Sequence, residues 1–484
     1  MSQKLVIDPV TRVEGHGKVT VQLDENNKVT DAKFHIVEFR GFERFIQGHP
    51  YWEAPVLVQR LCGICPVSHH LAAAKAIDQI VGIEPKDLSM PAQKIRKLLH
   101  FGQVFQSHAL HFFYLASPDL LFGAESDPLK RNVVGIAMEY PEMAKKGILM
   151  RKFGQEIIKL VAGKRIHGIS TTPGGVHRRI SAKERTYFLD DKEIPSIDTM
   201  IKWSVEIIDF MKSYHITNKN FLDTFAKYPS GHLGLVNKKN GFLELYDGVL
   251  RATDAKGNIT LDDVPNDDYN QYFYESVEKW TYLKFPYLKH LGKEKGWNRV
   301  GPLARLNICD GIETPMAEQE RLDFKAISNG RTNNMTMHTH WARLIEILYC
   351  AEMMKNLLED DDILSNDLTR KGERRKEGIG IIEAPRGTLI HHYEVDDKDR
   401  ITRCNLIVST THNNEPMNQA VRWVANNVLD GKPKITEGMM NQVEVAIRAY
   451  DPCLSCATHA MGQMPLELQL FDHFGNVIDE RIKQ

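Results

Sequence analysis

Residues 60–70 read RLCGICPVSHH, and near the other end of the chain residues 451–459 read DPCLSCATH. Each stretch holds a C-x-x-C pair, Cys62 with Cys65 and Cys453 with Cys456, and such a pair sets two thiolates about one metal diameter apart. Together they supply four soft ligands for nickel, zinc or iron. A structural zinc is the ordinary reading of two such pairs. Ribbon-type zinc pairs, however, are separated by about 15 to 20 residues, whereas these are separated by most of a chain that is long enough to fold around its own core. Each pair also keeps polar company that a closed zinc site rarely needs: Arg60 and His69 around the first, Asp451 and His459 around the second.

The rest of the composition narrows the function classes. The 484 residues allow two to four packed units at roughly 150 residues each. A hydrophobic fraction of 42%, a charged fraction of 26% and a formal net charge of -1 exclude a basic nucleic-acid binder. The start, MSQKLVIDPV, lacks the cationic and apolar regions of a secretory leader, and no stretch approaches the roughly 18 apolar residues of a membrane span. A cytoplasmic protein is expected. The other cysteines, Cys309, Cys350 and Cys404, are scattered singly, so a disulfide scaffold is excluded.

Apolar alternation from Lys18 to Val37 around Asn26-Asn27 predicts a β-hairpin. Helical spacing begins at Ile95, Leu98, Leu99 and runs towards Tyr114, and recurs over 201–214 and 339–355. Residues 241–261 read as a β-rich insertion with a turn at Lys256-Gly257-Asn258, and the charged segment 359–377 as a surface loop. Gly15-His16-Gly17 and Gly378-Ile379-Gly380 lack the remaining glycines of a dinucleotide fingerprint, so no nucleotide site is predicted in this chain. The expected fold class is α+β, predominantly helical: a long helical-bundle core with small peripheral sheets. The expected division is one unit over 1–459, β-rich to 60, helical over 61–235, with a β-rich insertion over 236–300 and helices plus a hairpin and the second cysteine pair over 301–459.

R-x-C-G-x-C-x-x-x-H near the start and D-P-C-x-x-C-x-x-H near the end resemble the two signatures of nickel-iron hydrogenase large subunits. The resemblance extends through DPVTRVEGHGK (8–18), EFRGFE (38–43), EAPRGTLIHHY (383–393) and NLIVSTTHN (405–413). It implies that Cys62, Cys65, Cys453 and Cys456 bind nickel, with Cys65 and Cys456 bridging to an iron that carries carbon monoxide and cyanide. Four thiolates, two divalent metals and two cyanides sum to about -2, a charge that burial penalises by several kcal/mol unless compensated. Arg386 is the counter-charge the resemblance implies. It stands before a strand that turns at 396–399, with Thr410 almost as far beyond the turn, so a regular hairpin places the two side by side. Pro385, Ser409 and His69 belong to the same implied cofactor-binding set, the matching serine or threonine bonding a cyanide.

Heterolytic cleavage of hydrogen yields a proton that needs a base; a terminal thiolate such as Cys453, or Arg386, fits, and the sequence leaves both open. Glu14 matches the family's proton-exit glutamate. Glu43, the carbonyl of Leu406 and His459 match the ligands of a separate magnesium, calcium or iron ion. At Ser107 the chain departs from many members, which place an active-site aspartate there; Asp451 remains as a carboxylate. His108 and His111 read as satisfied core histidines.

Three leftover cysteines cannot hold an iron-sulfur relay, so electrons must leave through another chain. The resemblance implies an iron-sulfur small subunit, and EFRGFERFIQGHPYWEAP with GRTNNMTMHTHWARLIEIL points to the bidirectional NAD-linked branch, with diaphorase subunits carrying iron-sulfur clusters, FMN and NAD. Relatives coupled to ferredoxin bifurcation, heterodisulfide reductase or a deazaflavin coenzyme stay open. A zinc-stabilised scaffold and the quinone-site subunit of respiratory complex I are the rivals from other classes. Finally, residues 460–484 follow the second signature. The resemblance implies a maturation peptide cut off after His459 by a nickel-dependent endopeptidase, while their own alternation at Leu466, Leu468 and Leu470 allows a surface strand.

Overall fold

A computed structural model describes residues 3–458 and, beyond them, the backbone of two strands over 466–471 and 477–483. At the N-terminus β1 (Gln3–Ile7), β2 (Gly17–Leu23) and β3 (Val29–Ile36) form an antiparallel sheet in that order. Val19, Val21 and Leu23 point into the core while the residues between them are half-buried, the period of two that the sequence predicts. Asn27, at φ 58°, closes the β2–β3 turn in the left-handed region that asparagine tolerates.

Helices make up the interior. α1 (Pro66–Ile80) starts directly on Cys65 with proline in its first turn, and every one of its residues is buried. α2 (Met90–Leu110) is capped by Ser89. α3 (Pro141–Ala162) packs on α2 where Gly102 and Gly154 let the backbones approach, and α4 (Ile197–Thr217) and α5 (Thr339–Glu359) complete the bundle. The helical pattern towards Tyr114 is interrupted: α2 ends at Leu110 and His111–Ala116 form a π-helical turn. Pro118 offers no N–H to the preceding turn, and the Ser117 hydroxyl takes up the Phe113 carbonyl at 2.7 Å.

Two further sheets flank the bundle. β4 (Gly231–Val236), β5 (Val249–Thr253) and β6 (Ile259–Val264) form the first, with Asn298–Arg299 added in parallel along β4. The β5–β6 turn is held by Asp254, whose carboxylate accepts from the Lys256 and Asn258 amides. β7 (Glu377–Ala384), β8 (Gly387–Val395) and β9 (Ile401–Ile407) form the second. α1 lies directly on β7. A Cβ at Gly378 or Gly380 would run into the carbonyl oxygens of Ala76 and Ala72, so this Gly-Ile-Gly serves close helix–strand packing. α6 (Asn414–Val424), α7 (Glu437–Arg448) and the one-turn α8 (Leu454–Ala457) bring the chain back to the N-terminal sheet. One continuous cluster of buried side chains runs from Val10 to Ala457 and includes both cysteine pairs. Segment 359–377 is largely exposed around one 3-10 turn. Among the described residues no helix is long and apolar enough to cross a membrane. In the tail, Leu466–Phe471 and Val477–Lys483 pair as an antiparallel hairpin.

Candidate metal centre

Cys62 leaves a 3-10 turn in extended conformation, and the turn that follows aims the Ile64 and Cys65 amides at its sulfur, at 3.1 and 3.3 Å. Cys65 caps α1, where the positive end of the helix favours a thiolate. Cys453 enters from the other end of the chain. The N-terminal loop pairs with it as a short parallel bridge at Glu14, with the Leu454 amide donating to the Glu14 carbonyl at 2.9 Å. All four cysteines are buried and free of disulfides. Their sulfurs stand 3.3 Å apart for Cys62 and Cys453, 3.6 Å for Cys65 and Cys456, and 2.8 Å for Cys453 and Cys456. All four lie within 4.8 Å of one another.

This arrangement fits a soft cation and little else. Hydrogen bonds from the neighbouring cysteines hold the Cys62 thiol well below its ordinary range, while burial pushes Cys453 and Cys456 well above theirs. Four sulfurs in one buried cluster can all be ionised only when a metal takes the place of the protons.

A cavity opens beside Cys65, Cys453 and Cys456, with Ala384, Pro385, Leu389 and Val408 as its apolar wall and His69, Arg386, Ser409 and Thr410 as its polar groups. Arg386 stands between β7 and β8. Its Nε donates to the Asp451 carbonyl at 2.5 Å, its Nη2 meets Asp451 Oδ1 at 2.9 Å, and its Nη1 meets Ser107 Oγ at 3.4 Å. Burial opposes the guanidinium charge, but Asp451 and the cysteine sulfurs outweigh it and hold Arg386 well above its ordinary value. Burial pushes the Asp451 carboxyl up against the pull of Arg386 and Arg343. Ser107 and Asp451 therefore share the work of orienting one arginine.

The hairpin geometry differs from the regular one. The β8–β9 ladder ends at the pair Ile390–Ile407, and the chain then turns into one helical turn, Ser409–His412. Arg386 and Thr410 reach the same cavity because the chain leaves the ladder, not as ladder partners. Thr410 Oγ1 accepts from the Cys453 amide at 3.0 Å, which leaves its own hydrogen to donate, whereas Ser409 spends its hydrogen on the Gly387 carbonyl at 2.7 Å.

Glu14 lies on the second pair. Its Oε2 accepts from Cys453 Sγ at 3.0 Å and from the Ser455 amide at 3.2 Å, and the Ser455 hydroxyl bonds its Oε1. The loop that carries it is clamped to α7: Arg12 to Asp119 at 2.5 Å, Asp119 to Arg448 at 2.6 Å, and the Thr11 amide to Glu444 at 2.6 Å. Neither Ser455 nor this clamp is singled out by the sequence, although Thr11, Arg12 and Ser455 sit inside the quoted signatures. Arg60 turns outwards: it is exposed and meets His167 Nδ1 at 2.7 Å, while His167 Nε2 bonds the Cys62 carbonyl at 2.9 Å.

At the other implied ion site, Glu43 Oε1 accepts from the Leu406 amide at 2.8 Å, and burial pushes its carboxyl up. His459 lies outside the described residues; Thr458, before it, is fully buried with its carbonyl accepting from the Arg40 amide at 3.0 Å. His108 and His111 are buried core residues, but only half satisfied: Nε2 bonds Glu346 at 2.8 Å in the first and the Arg448 carbonyl at 2.7 Å in the second, while Nδ1 of each has no partner.

A second donor trio, His215, Asp223 and His338, is explained without a metal. Asn333 uses its Oδ1 on the Met335 amide, so its Nδ2 donates to His338 Nδ1 at 2.9 Å; Nε2 of His338 is then the protonated nitrogen, donating to Asp223 Oδ1 at 2.9 Å.

Residues 40–125 and 245–459 match a family described as nickel-dependent hydrogenase, and residues 4–39 match a HoxL-like family. The chain is 50% identical to the beta chain of the NAD-reducing hydrogenase HoxS of Cupriavidus necator over 100% of both chains. It is 40% identical to a chain of the vhc F420-non-reducing hydrogenase of Methanococcus voltae, over 96% of this chain and 97% of that one. Among solved structures, an NAD+-reducing [NiFe]-hydrogenase in the H2-reduced state superposes with a TM-score of 0.91 at 52% identity, covering 94% of this chain and 99% of that chain. With full-length identity of this order, a matching family model over both cysteine signatures and four sulfurs gathered at one buried point, the chain belongs to the nickel-dependent hydrogenases as a large, catalytic [NiFe] subunit.

Proposed function

We propose that this chain splits and forms hydrogen at Cys62, Cys65, Cys453 and Cys456 and passes electrons, first through an iron-sulfur small subunit, then through diaphorase subunits carrying FMN, to NAD in the cytoplasm. The observation that carries the proposal is the buried four-sulfur cluster with Arg386, held by Asp451, lining the cavity beside it. The NAD link is supported by the two NAD-reducing relatives, both at 50% identity or more. The first test is elemental: about one nickel per chain in the purified complex is expected, together with hydrogen-dependent NAD reduction. Stoichiometric zinc without nickel would refute the metal assignment, and reduction of a dye but not of NAD would refute the acceptor.

Cys62 and Cys453 would hold nickel terminally, and Cys65 and Cys456 would bridge to iron bearing carbon monoxide and cyanide. When bound, this pair supplies the redox chemistry that separates dihydrogen into protons and electrons. The protein supplies everything around it. The walls of Ala384, Pro385, Leu389 and Val408 exclude water and suit an uncharged diatomic ligand, while Thr410 and Arg386 offer hydrogen-bond donors to anionic ones. Arg386, paired with Asp451, is the counter-charge in this reading, and the proton is assigned to a sulfur. Cys453 Sγ, in contact with Glu14, is placed to hand that proton to the carboxylate. Glu14→Gln is therefore expected to lower hydrogen–deuterium exchange roughly 100-fold, because an amide keeps the shape but relays no proton. Nickel content should not change, and normal exchange in the variant would exclude this route.

Glu43, the Leu406 carbonyl and His459 would hold a magnesium, calcium or iron ion; the bond from Thr458 to Arg40 supports it by bringing the end of the described chain to the segment that carries Glu43. Residues 460–484 are proposed as a maturation peptide, removed after His459 by an endopeptidase. The complete burial of Thr458, two residues beyond Cys456, supports this reading. Intact-mass analysis of the active complex should find a large subunit ending at His459; full activity in a chain ending at Gln484 would overturn cleavage.

A further inference from the structure

Arg386 sits on a two-residue turn, Pro385–Arg386, between the ladder partners Ala384 and Gly387. A side chain on so short a turn points where the turn is held, so its direction depends on the groups that fix the turn from outside. On one side these belong to the start of the short helix Pro302–Ile308: a Cβ at Gly301 would stand 2.9 Å from the Arg386 carbonyl oxygen, and one at Gly387 would run into Val300. On the other side stands Arg305, from the same helix. Its Nη1 donates to the Ala384 carbonyl at 3.0 Å and its Nη2 to the Pro385 carbonyl at 3.2 Å. Ala384 and Pro385 belong to the apolar wall of the metal cavity, so Arg305 holds that wall from behind.

The hold is built from buried charges. Arg305, Glu346 on α5 and Glu383 on β7 are all fully buried. Arg305 binds the Glu346 carboxylate bidentately, Nε to Oε1 and Nη2 to Oε2, both at 2.6 Å, and its Nη1 reaches Glu383 Oε2 at 2.8 Å. Glu383 Oε1 in turn accepts from the Thr388 hydroxyl at 2.7 Å and the Leu235 amide at 3.2 Å. Burial opposes the charge on Glu346, yet Arg305 outweighs it and lowers the carboxyl to about 2. Glu346 Oε2 therefore also accepts from His108 Nε2 at 2.8 Å, and His108 follows Ser107, the residue that meets Arg386 Nη1. One guanidinium thus ties the backbone beside Arg386 and the segment carrying a partner of its side chain to a single network. Desolvation offsets much of the attraction in such a network, so its contribution is fixed geometry more than stability. We propose that Arg305 is a positioning residue for the reaction: by tying the Ala384 and Pro385 carbonyls to Glu346 and Glu383 it sets the direction in which Arg386 enters the metal cavity. The inference rests on the nickel-iron reading of the cysteine cluster and adds to it a residue that lies outside every signature quoted above.

The test is a double-substitution cycle on the purified complex, with kcat, KM for hydrogen and nickel content measured for each member. Arg305→Lys keeps a charge beside Glu346 but cannot span two carbonyls and two carboxylates at once. It should lower kcat about 10-fold, with KM and nickel content as in wild type. In an Arg386→Lys background the same change should lower kcat by less than about twofold, because a residue that acts through Arg386 has nothing left to position. A merely structural role would cost the same factor in both backgrounds, and that result would overturn the proposal, as would wild-type kcat in Arg305→Lys. Should Arg305→Lys fail to fold, Thr388→Val takes its place in the cycle, since it removes one hydroxyl from the Glu383 end and leaves every charge where it is. A loss of kcat that disappears in the Arg386→Lys background supports the proposal; equal losses in the two backgrounds, or none in either, refute it. Wild-type complex without nickel would refute the nickel-iron reading, and the proposal with it.

Discussion

Hydrogen uptake is expected to fall to background, a loss of at least about 1,000-fold, when either Cys62 or Cys453 is replaced by serine. The two sulfurs are 3.3 Å apart, they come from opposite ends of the chain, and each is buried. Serine has nearly the same shape, so the core around it persists, but a hydroxyl is a harder and far less acidic donor than a thiol and does not replace thiolate at a soft metal. Cys62 is also the sulfur on which two backbone amides converge, and hydrogen bonds from the neighbouring cysteines hold its thiol well below its ordinary range, so a serine there discards a ligand the fold has prepared for ionisation. Because the ligands act as one unit, the double variant should be no worse than either single one. Hydrogen-dependent dye reduction and nickel content of the purified complexes check this; wild-type turnover with nickel bound in either variant would refute the assignment.

Arg386→Lys is expected to keep nickel and lose activity by about 100-fold, the scale on which removal of a preorganised donor acts in a water-excluded site. The guanidinium binds the Asp451 carbonyl, the Asp451 carboxylate and the Ser107 hydroxyl at once, through Nε, Nη2 and Nη1. A lysine ammonium keeps the charge but not the planar fork. It would satisfy one of these partners and release the others, and Asp451, pushed up by burial, would lose the Arg386 pairing that opposes that push. Steady-state rates with parallel metal analysis decide the matter. Undiminished activity at full nickel content would remove Arg386 from the chemistry.

Much of the fold and of the metal centre is legible in the amino-acid sequence. The N-terminal hairpin, the long helices and the insertion announce themselves through periods of 2 and 3.6, because burial on one face imposes those spacings. The cysteine signatures, Glu14, Arg386 and Thr410 stand in short stretches whose residue types carry their chemistry. Less legible are the residues that act through others. Ser455 bonds Glu14, Arg305 reaches Arg386 through the Ala384 and Pro385 carbonyls, and the Arg12–Asp119–Arg448 clamp joins three segments far apart in sequence. No periodicity marks such residues, since a buried polar side chain is defined by the partner it meets. The π-helical turn at His111–Ala116 is hidden too, because its residues continue the helical pattern and only the hydrogen-bond register changes.

By itself the sequence determined which atoms are available: four thiols in two pairs, one arginine, one N-terminal glutamate, and too few other cysteines to carry electrons onward. What only the tertiary structure decided is their convergence. Glu14 meets Cys453 because a parallel bridge and an ion-pair clamp tie the N-terminal loop to the last helices, and Cys65 meets Cys456 because α1 and α8 end in the same core. The physical reason is that hydrophobic burial rewards any compact arrangement of the apolar residues. Which polar groups then face one another is set by packing at contact distance, as where α1 lies against Gly378 and Gly380, and that is a property of the folded surface, not of any stretch of chain.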